Sequence, residues 1–192
     1  PGLTLAIDHR ADYEAIMATA LKALLKFVDT GKTSKHIKGI EHPDIPLWAI
    51  WAIQQYAKTA GTDAARKLYL KPVAHLVDHI LTGGQPNLYV DHQTGLLSTD
   101  GHDRPVSWMN SMLNGAPVVR RTGRLVEFNA MWYNALMFAA ALAEGNEDLA
   151  ARRDTWLTEA EKMKQPFIDT FLNESGYLYD FVDGTFAEPS VR

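Results

Sequence analysis

The sequence predicts an all-α fold in which two kinds of helix alternate along the chain. Two predicted helices are apolar on nearly every side, and such helices belong in a protein interior. Three others carry one apolar stripe and a polar face, which is typical of helices at the surface. The order outer, inner, outer, inner, outer is what a double ring of helices requires. An ordinary helical bundle with polar loops explains the periodicity equally well.

The first three helices lie in the N-terminal half of the chain. Apolar residues at helical spacing predict an outer helix over Ala11–Asp29. The first inner helix, Ile45–Ala60, has no polar residue from 47 to 53 and tolerates Pro46 in its first turn. Gly61 ends it, and Thr62 and Asp63 are expected to cap an outer helix that runs to about Leu81, with Pro72 as a candidate kink.

The second half begins with a different pattern. Residues 88–98 alternate as a short β-hairpin, with residues 91–95 as its turn. Residues 125–142 form the second inner helix, and residues 147–172 form an outer helix that we expect Pro166 to interrupt. Residues 177–182 read as a short strand.

Composition excludes several classes of protein. With 46% hydrophobic and 22% charged residues, the 192-residue chain resembles an ordinary globular protein and is treated as one domain, 1–192. A net charge of -4 argues against nucleic-acid binding, and no apolar run approaches the roughly 20 residues needed to span a membrane. The absence of cysteine and of a visible signal peptide fits a cytoplasmic protein. His75 and His79 lack the glutamate of a zinc motif, so neither a metal nor another cofactor is expected.

The predicted helix directions bring the polar residues to one end of the molecule. Both long loops, residues 30–44 and 83–124, lead into the N-termini of inner helices, where the helix dipoles favour anionic groups. The residues expected to gather there are Asp44, Trp48, Trp108, Asn110, Arg120, Arg121 and Glu127.

These residue types suit a sugar site, which combines aromatic platforms, hydrogen-bonding groups and, for hydrolysis, two carboxyl groups. The candidate platforms are Trp48, Trp108, Trp132 and Tyr133; the polar candidates are Asp44, Asp103, Arg120, Arg121, Glu127 and Asn129. Core packing is the more common role for any single tryptophan in an apolar helix, but Trp108 lies in a polar loop. Glu127 could instead be a carboxylate stabilised by the helix dipole, and the two arginines could form a structural ion pair or a positioning clamp.

Several ordered motifs resemble the amylo-α-1,6-glucosidase domain of glycogen debranching enzymes. The central ones are Ser107-Trp108-Met109-Asn110, Gly115-Ala116-Pro117-Val118, Arg120-Arg121-Thr122-Gly123 and the run from Val126 through Glu127-Phe128-Asn129-Ala130-Met131-Trp132-Tyr133-Asn134-Ala135 to Leu136. Asp44-Ile45-Pro46-Leu47-Trp48, Gly176-Tyr177-Leu178-Tyr179-Asp180 and Ser190-Val191-Arg192 add support, so the similarity runs from about residue 40 onward.

The resemblance implies an (α/α)6 toroid that hydrolyses α-1,6-glucosidic branch linkages of glycogen, limit dextrin or maltodextrin with inversion. It also implies that residues 1–192 are an incomplete segment of the catalytic domain, whose remainder is then a partner. The catalytic base is expected beyond Arg192.

One departure from the family affects the chemistry. Family members commonly have Trp-Met-Asp, with the aspartate as general acid, where this chain has Asn110. An amide cannot deliver a proton to a leaving oxygen at neutral pH. Asp103 and Glu127 are the nearby alternatives, and Glu127 is favoured because it lies at the mouth of a buried helix. A noncatalytic α-glucan-binding helical module and a purely structural helical domain remain as alternatives.

Overall fold

In the computed structural model the described residues are 11–29 and 42–190, and α-helices contain most of them. The helices are α1 Ala11–Asp29, α2 Ile45–Ala60, α3 Thr62–Leu81, α4 Val126–Leu142 and α5 Ala150–Phe171, the last preceded by a 3-10 turn at Glu147–Leu149. None of the helices in these two ranges is both long and apolar enough to cross a bilayer. The mostly helical prediction is therefore confirmed, whereas the ring arrangement remains a prediction.

Helix α4 is the centre of the core. It packs against α2, α3 and α5, and its Phe128, Trp132 and Leu136 side chains are fully buried. The apolar stripe predicted for α3 is buried in full, and it consists of Ala65, Tyr69, Val73, Leu76 and Ile80. On α1, Met17 and Leu21 of the predicted apolar stripe are buried, and the structure does not describe the side chains of its other members, Tyr13, Leu24 and Val28.

Helix α2 is not buried on every side, contrary to the prediction. Leu47, Ile50 and Ile53 form its buried face against α3 and α4. On the opposite side Trp48 is 40% exposed and Trp51 is half-buried, with the two rings edge to face at 5.7 Å. An apolar stretch of helix can thus keep an open face, because the described helices cover only one side of it.

The predicted cap of α3 is wrong. Thr62 is the first residue of the helix, and the preceding Gly61, at φ +94°, stands at the cap position without a side-chain hydrogen bond. Asp63 instead pairs with Arg66 one turn later, at 2.7 Å. Glycine suits the cap position because it adopts positive φ without steric cost.

Neither internal proline ends its helix. Pro72 lies inside α3, and Pro166 lies inside α5, which continues to Phe171. The expected interruption at Pro166 is therefore wrong. Met163 and Phe171 are buried on either side of it, and this packing offsets the one backbone hydrogen bond that proline removes.

The hairpin predicted at residues 88–98 is confirmed as β1 Tyr89–Val90 paired with β2 Leu97–Ser98. The structure adds an unpredicted hairpin, β3 Met112–Leu113 with β4 Ala116–Pro117. A three-stranded sheet joins β5 Arg124–Leu125 to β6 Phe181–Asp183 and β7 Phe186–Ala187. The strand expected at 177–182 thus begins later, at Phe181.

Two glycines allow the segments before α4 to pass close to one another. A Cβ atom on Gly101 would lie 1.8 Å from the carbonyl oxygen of Arg121, and one on Gly123, at φ +76°, would lie 2.4 Å from that of Val182. No other residue fits at these distances. The long loop is therefore fixed in place directly before the first turn of α4.

Asn129 connects the β1–β2 hairpin to α4 through hydrogen bonds. Its side chain is fully buried; its Oδ1 accepts from Leu97 N at 2.7 Å, and its Nδ2 donates to the carbonyls of Leu97 and Leu125 at 3.0 and 2.9 Å. All its hydrogen-bonding groups are used inside the protein. The assignment of Asn129 to substrate binding is therefore wrong, and its role is structural.

We expect Asn129→Ala to lower the free energy of unfolding by roughly 2–4 kcal/mol, because buried backbone groups of Leu97 and Leu125 lose their partners. Urea denaturation measures the change. Asn110→Ala is the matched control, since Asn110 is exposed and its substitution should stay within about 0.5 kcal/mol of wild type. Equal stability of the two variants would contradict this structural role.

Candidate functional site

A buried arginine organises the residues at the N-terminus of α4. The side chain of Arg121 is 3% exposed, and its Nε and Nη2 donate to Asp180 Oδ2 and Oδ1 at 3.1 and 2.6 Å. Its Nη2 also donates to Glu127 Oε2 at 2.6 Å, and its Nη1 bonds Glu127 Oε1 and, at 3.2 Å, Ser107 Oγ. Arg121, Glu127, Asp180 and Ser107 are called the arginine cluster below.

Three separate parts of the chain supply this cluster. Glu127 lies in the first turn of α4, and Ser107 belongs to the long loop. Asp180 is brought in by the sheet, because β5 pairs with β6 and Val126 N donates to the Asp180 carbonyl at 3.1 Å. The adjacent arginines are therefore not equivalent: Arg121 forms the buried ion pair, and Arg120 is exposed.

Asp44 lies next to the cluster, directly before α2. It is 3% exposed, and its Oδ2 accepts from Trp48 Nε1 at 2.9 Å. Burial raises the pKa of the Asp44 carboxyl to about 6, and the negative charge of Glu127 adds to the rise, whereas the Trp48 hydrogen bond and the positive charge of Arg121 oppose it. Asp44 is therefore a carboxyl group that holds its proton up to mildly acidic pH.

Two exposed tryptophans flank the charged groups. Trp48 is 40% exposed and is tied to Asp44, and Trp108 is 62% exposed and directly follows Ser107 of the cluster. Asn110 is exposed beside Trp108, to whose carbonyl its backbone N donates at 3.0 Å. The structure thus brings Asp44, Trp48, Trp108, Arg121 and Glu127 to one rim, which we call the tryptophan rim.

Two predicted aromatic platforms lie elsewhere. Trp132 is fully buried in the core, so its proposed stacking on a sugar is wrong and the packing alternative holds. Tyr133 lines a cavity of about 470 Å³ between α4 and α5 together with Met163, Lys164 and Phe167. That cavity contains no residue of the arginine cluster, so nothing places Tyr133 at the tryptophan rim.

Asp103 is exposed in the long loop, where its negative charge helps to raise the pKa of His102. The hydrogen bond between the His102 ring and the Asp100 carboxylate is the main cause of that rise, and the Asp183 carboxylate lies 3.5 Å from the same ring. The charge of Asp103 therefore acts on His102, together with Asp100 and Asp183, and not on the arginine cluster.

A separate cavity lies outside the tryptophan rim. It measures about 550 Å³ and lies between α3 and the start of α5, where His75 and His79 stack with their ring centres 6.0 Å apart. Asp78 in this cavity pairs with Arg152 and accepts from Trp156 Nε1 at 2.8 Å. His75 is exposed and His79 is partly buried, and the carboxylate of the neighbouring Asp78 is bound by Arg152 and Trp156.

Sequence reasoning missed the parts that Asp180 and Ser107 play. Asp180 stood within the Gly-Tyr-Leu-Tyr-Asp segment, but its distance of 59 residues from Arg121 gave no sign of contact. Ser107 precedes Trp108 in a polar loop, and no local pattern indicates its contact with Arg121. The pairing of β5 with β6 brings Asp180 to Arg121, and the course of the long loop brings Ser107 there.

The arrangement separates two kinds of carboxyl group. Glu127 accepts guanidinium hydrogen bonds on both oxygens and is the ion-pair partner of Arg121. Asp44 is buried and has a raised pKa, so it can carry a proton at mildly acidic pH. Groups whose environments favour opposite protonation states are typical of acid–base sites.

Comparison with known proteins gives one match. The family described as amylo-alpha-1,6-glucosidase matches residues 34–192, more than three-quarters of the chain. No curated protein and no solved structure matches the chain.

We expect Asp44→Asn to change how stability depends on pH. Because burial raises the folded-state pKa of Asp44 from 3.8 to about 6, its stabilising contribution is complete below pH 4 and is lost as the pH rises through 6. Asparagine cannot ionise, so the variant should gain up to about 3 kcal/mol on wild type between pH 4 and 7. Urea unfolding at several pH values measures the difference. A stability difference that does not change with pH would contradict the raised pKa of Asp44. Asp63→Asn is the control, because the Asp63 side chain is 95% exposed.

We expect Arg121→Met to lower the free energy of unfolding by about 3–5 kcal/mol, because it leaves the Asp180 carboxylate buried without its guanidinium partner. The neighbouring Arg120→Met removes the same charge from the surface and should change stability by no more than about 0.5 kcal/mol. Thermal and urea unfolding compare the two. Similar losses of unfolding free energy for both variants would show that the buried ion pairs of Arg121 do not stabilise the protein.

Proposed function

Because the chain belongs to the amylo-alpha-1,6-glucosidase family, we propose that it forms part of the catalytic domain of a debranching-type glycoside hydrolase. Its substrate is a branched α-glucan such as glycogen or limit dextrin, and the reaction is hydrolysis of α-1,6-glucosidic linkages with inversion. The rest of the domain is then needed to complete the ring of helices and to supply the catalytic base.

The observation that carries this proposal is that two exposed tryptophans adjoin the buried charged groups: Trp48 donates to Asp44, and Trp108 follows Ser107 of the arginine cluster. Exposed indole faces suit the apolar faces of glucose rings, and the buried carboxyl and exposed guanidinium groups beside them suit its hydroxyls. Trp48 and Trp108 are the stacking residues, and Asp44 and Arg120 are the candidate hydroxyl-binding groups. The ion pair to Arg121 supports Glu127 as a fixed negative charge, not as a mobile side chain.

For proton transfer we propose that Asp44 is the acid and that Glu127 is its partner. The pKa of Asp44 lies near 6, and the negative charge of Glu127 contributes to that rise. Asn110 lies at the rim but cannot deliver a proton. In an inverting enzyme the base stands roughly 6.5–9.5 Å from the acid with a water molecule between them, and that base is assigned to the rest of the domain.

In the full-length protein we expect Asp44→Asn to lower the rate of limit-dextrin hydrolysis by about 10²- to 10⁴-fold, the usual contribution of a general acid. Glu127→Gln should cost less and should move the alkaline limb of the pH–rate profile to lower pH, because it removes a charge that raises the pKa of Asp44. Glucose release measures both effects, and the exposed Asp63→Asn is the control. A near-normal rate for Asp44→Asn would show that the acid is another group.

A noncatalytic α-glucan-binding module is the second candidate, and Asn110 is the observation that favours it. An amide stands where the family commonly has its proposed acid, on an exposed part of the rim. The module would bind limit dextrin without hydrolysing it and would lose binding in Trp108→Ala. Asn110→Asp would then introduce a carboxyl group at that position and is expected to produce hydrolysis. A protein that binds no glucan would be left with a structural role only.

A further inference from the structure

The long loop carries a small preformed hairpin beside the tryptophan rim. Residues 108–120, which we call the arm, begin and end at the arginine cluster, because Ser107 Oγ accepts from Arg121 Nη1 at 3.2 Å. Within the arm β3 pairs with β4, and Val118 N donates to the Ser111 carbonyl at 2.9 Å. Asn114 and Gly115 form the turn with φ of +51° and +81°, a combination typical of two-residue hairpins.

The surface of the arm is unusually apolar for an exposed segment. No charged residue occurs from 108 to 119. Four large apolar side chains project from the arm into solvent, and they are Trp108, Met112, Leu113 and Val118, with Leu113 at 66% exposure. An exposed apolar patch on a rigid support marks a binding surface, since leaving it open to water is unfavourable.

The chemistry of the arm favours a neutral ligand with both apolar faces and hydroxyl groups. From 108 to 119 its polar side chains are the amides of Asn110 and Asn114 and the hydroxyl of Ser111, none of which carries a charge, and Arg120 at its end is its one charged residue. The arm is also continuous with the proposed glucan site, since Trp108 belongs to both. An α-glucan chain presents C–H faces and hydroxyls in the same alternation.

We propose that the arm binds the glucan chain that bears the branch, on the leaving-group side of the scissile linkage. Asp44 is buried, whereas the apolar side chains of the arm are exposed, so the arm is the part able to contact substrate that extends into solvent. Met112 and Leu113 are then specificity-determining residues for a branched polymer over a short sugar. This inference rests on the proposed function.

The test compares a large and a small ligand in the full-length protein by calorimetry. The double variant Met112→Ser, Leu113→Ser should weaken binding of limit dextrin by about tenfold or more, equivalent to some 1.4 kcal/mol of lost apolar contact. Binding of isomaltose, which spans only the linkage itself, should be unchanged. Leu68→Ser is the matched control, because Leu68 is a similarly exposed leucine on α3 outside the arm.

The outcomes separate this inference from the proposed function. If wild-type protein binds limit dextrin and the double variant binds it equally well, the arm proposal is overturned and the proposed function stands. If the double variant weakens both ligands to the same extent, the arm acts through the cluster and its role in specificity is overturned. If wild-type protein binds neither ligand, both proposals fail. Weaker binding of limit dextrin by Leu68→Ser would also count against the arm.

Discussion

The buried guanidinium of Arg121 is the interaction on which the site depends. Taking a charge out of water is costly, and here two carboxylates and a hydroxyl from three parts of the chain compensate for it. The result is a fixed junction between the long loop, the sheet and the first turn of α4. Because Asp180 and Glu127 together carry more negative charge than Arg121 neutralises, the surroundings of the cluster remain negative.

That excess charge affects the neighbouring Asp44. Burial is the main reason why this carboxyl keeps its proton, and the negative charge of Glu127 adds to the effect. A structural ion pair and a proton-carrying group are thus parts of one arrangement. The proposed roles follow from this division: Glu127 is the ion-pair partner of Arg121, and Asp44 is the group able to give a proton.

The long loop before α4 contains strands of only two residues, so individual contacts hold it in place. It is fixed to the helical core by these short strand pairings, by the close approach at Gly101 and Gly123, and by the Asn129 side chain. Trp108 and the arm are therefore held on a rigid base although they are exposed. A site built in this way can present apolar side chains to a ligand without first having to order them.

Local pattern determined a large part of this structure. The bounds of α2 and α3, the buried stripe of α3, the β1–β2 hairpin and the apolar character of α4 follow from residue spacing, because helices and hairpins depend mainly on nearby residues. The alternating direction of the predicted helices placed Asp44, Trp108, Arg121 and Glu127 at one end, and of these Arg121 and Glu127 form an ion pair. The motifs around Glu127 indicated the family that the comparison found.

Tertiary structure decided which side chains are available. Trp48 and Trp132 both lie in apolar helices, yet one is partly open and the other fully buried, since exposure depends on which helices pack beside each face. Asn129 and Glu127 are two residues apart, but the fold gives them different roles. Asn129 hydrogen-bonds the β1–β2 hairpin, and Glu127 pairs with Arg121. Asp180 joined the site through the pairing of β5 with β6, which places it against Arg121, 59 residues earlier, and no local pattern contains a contact over that distance.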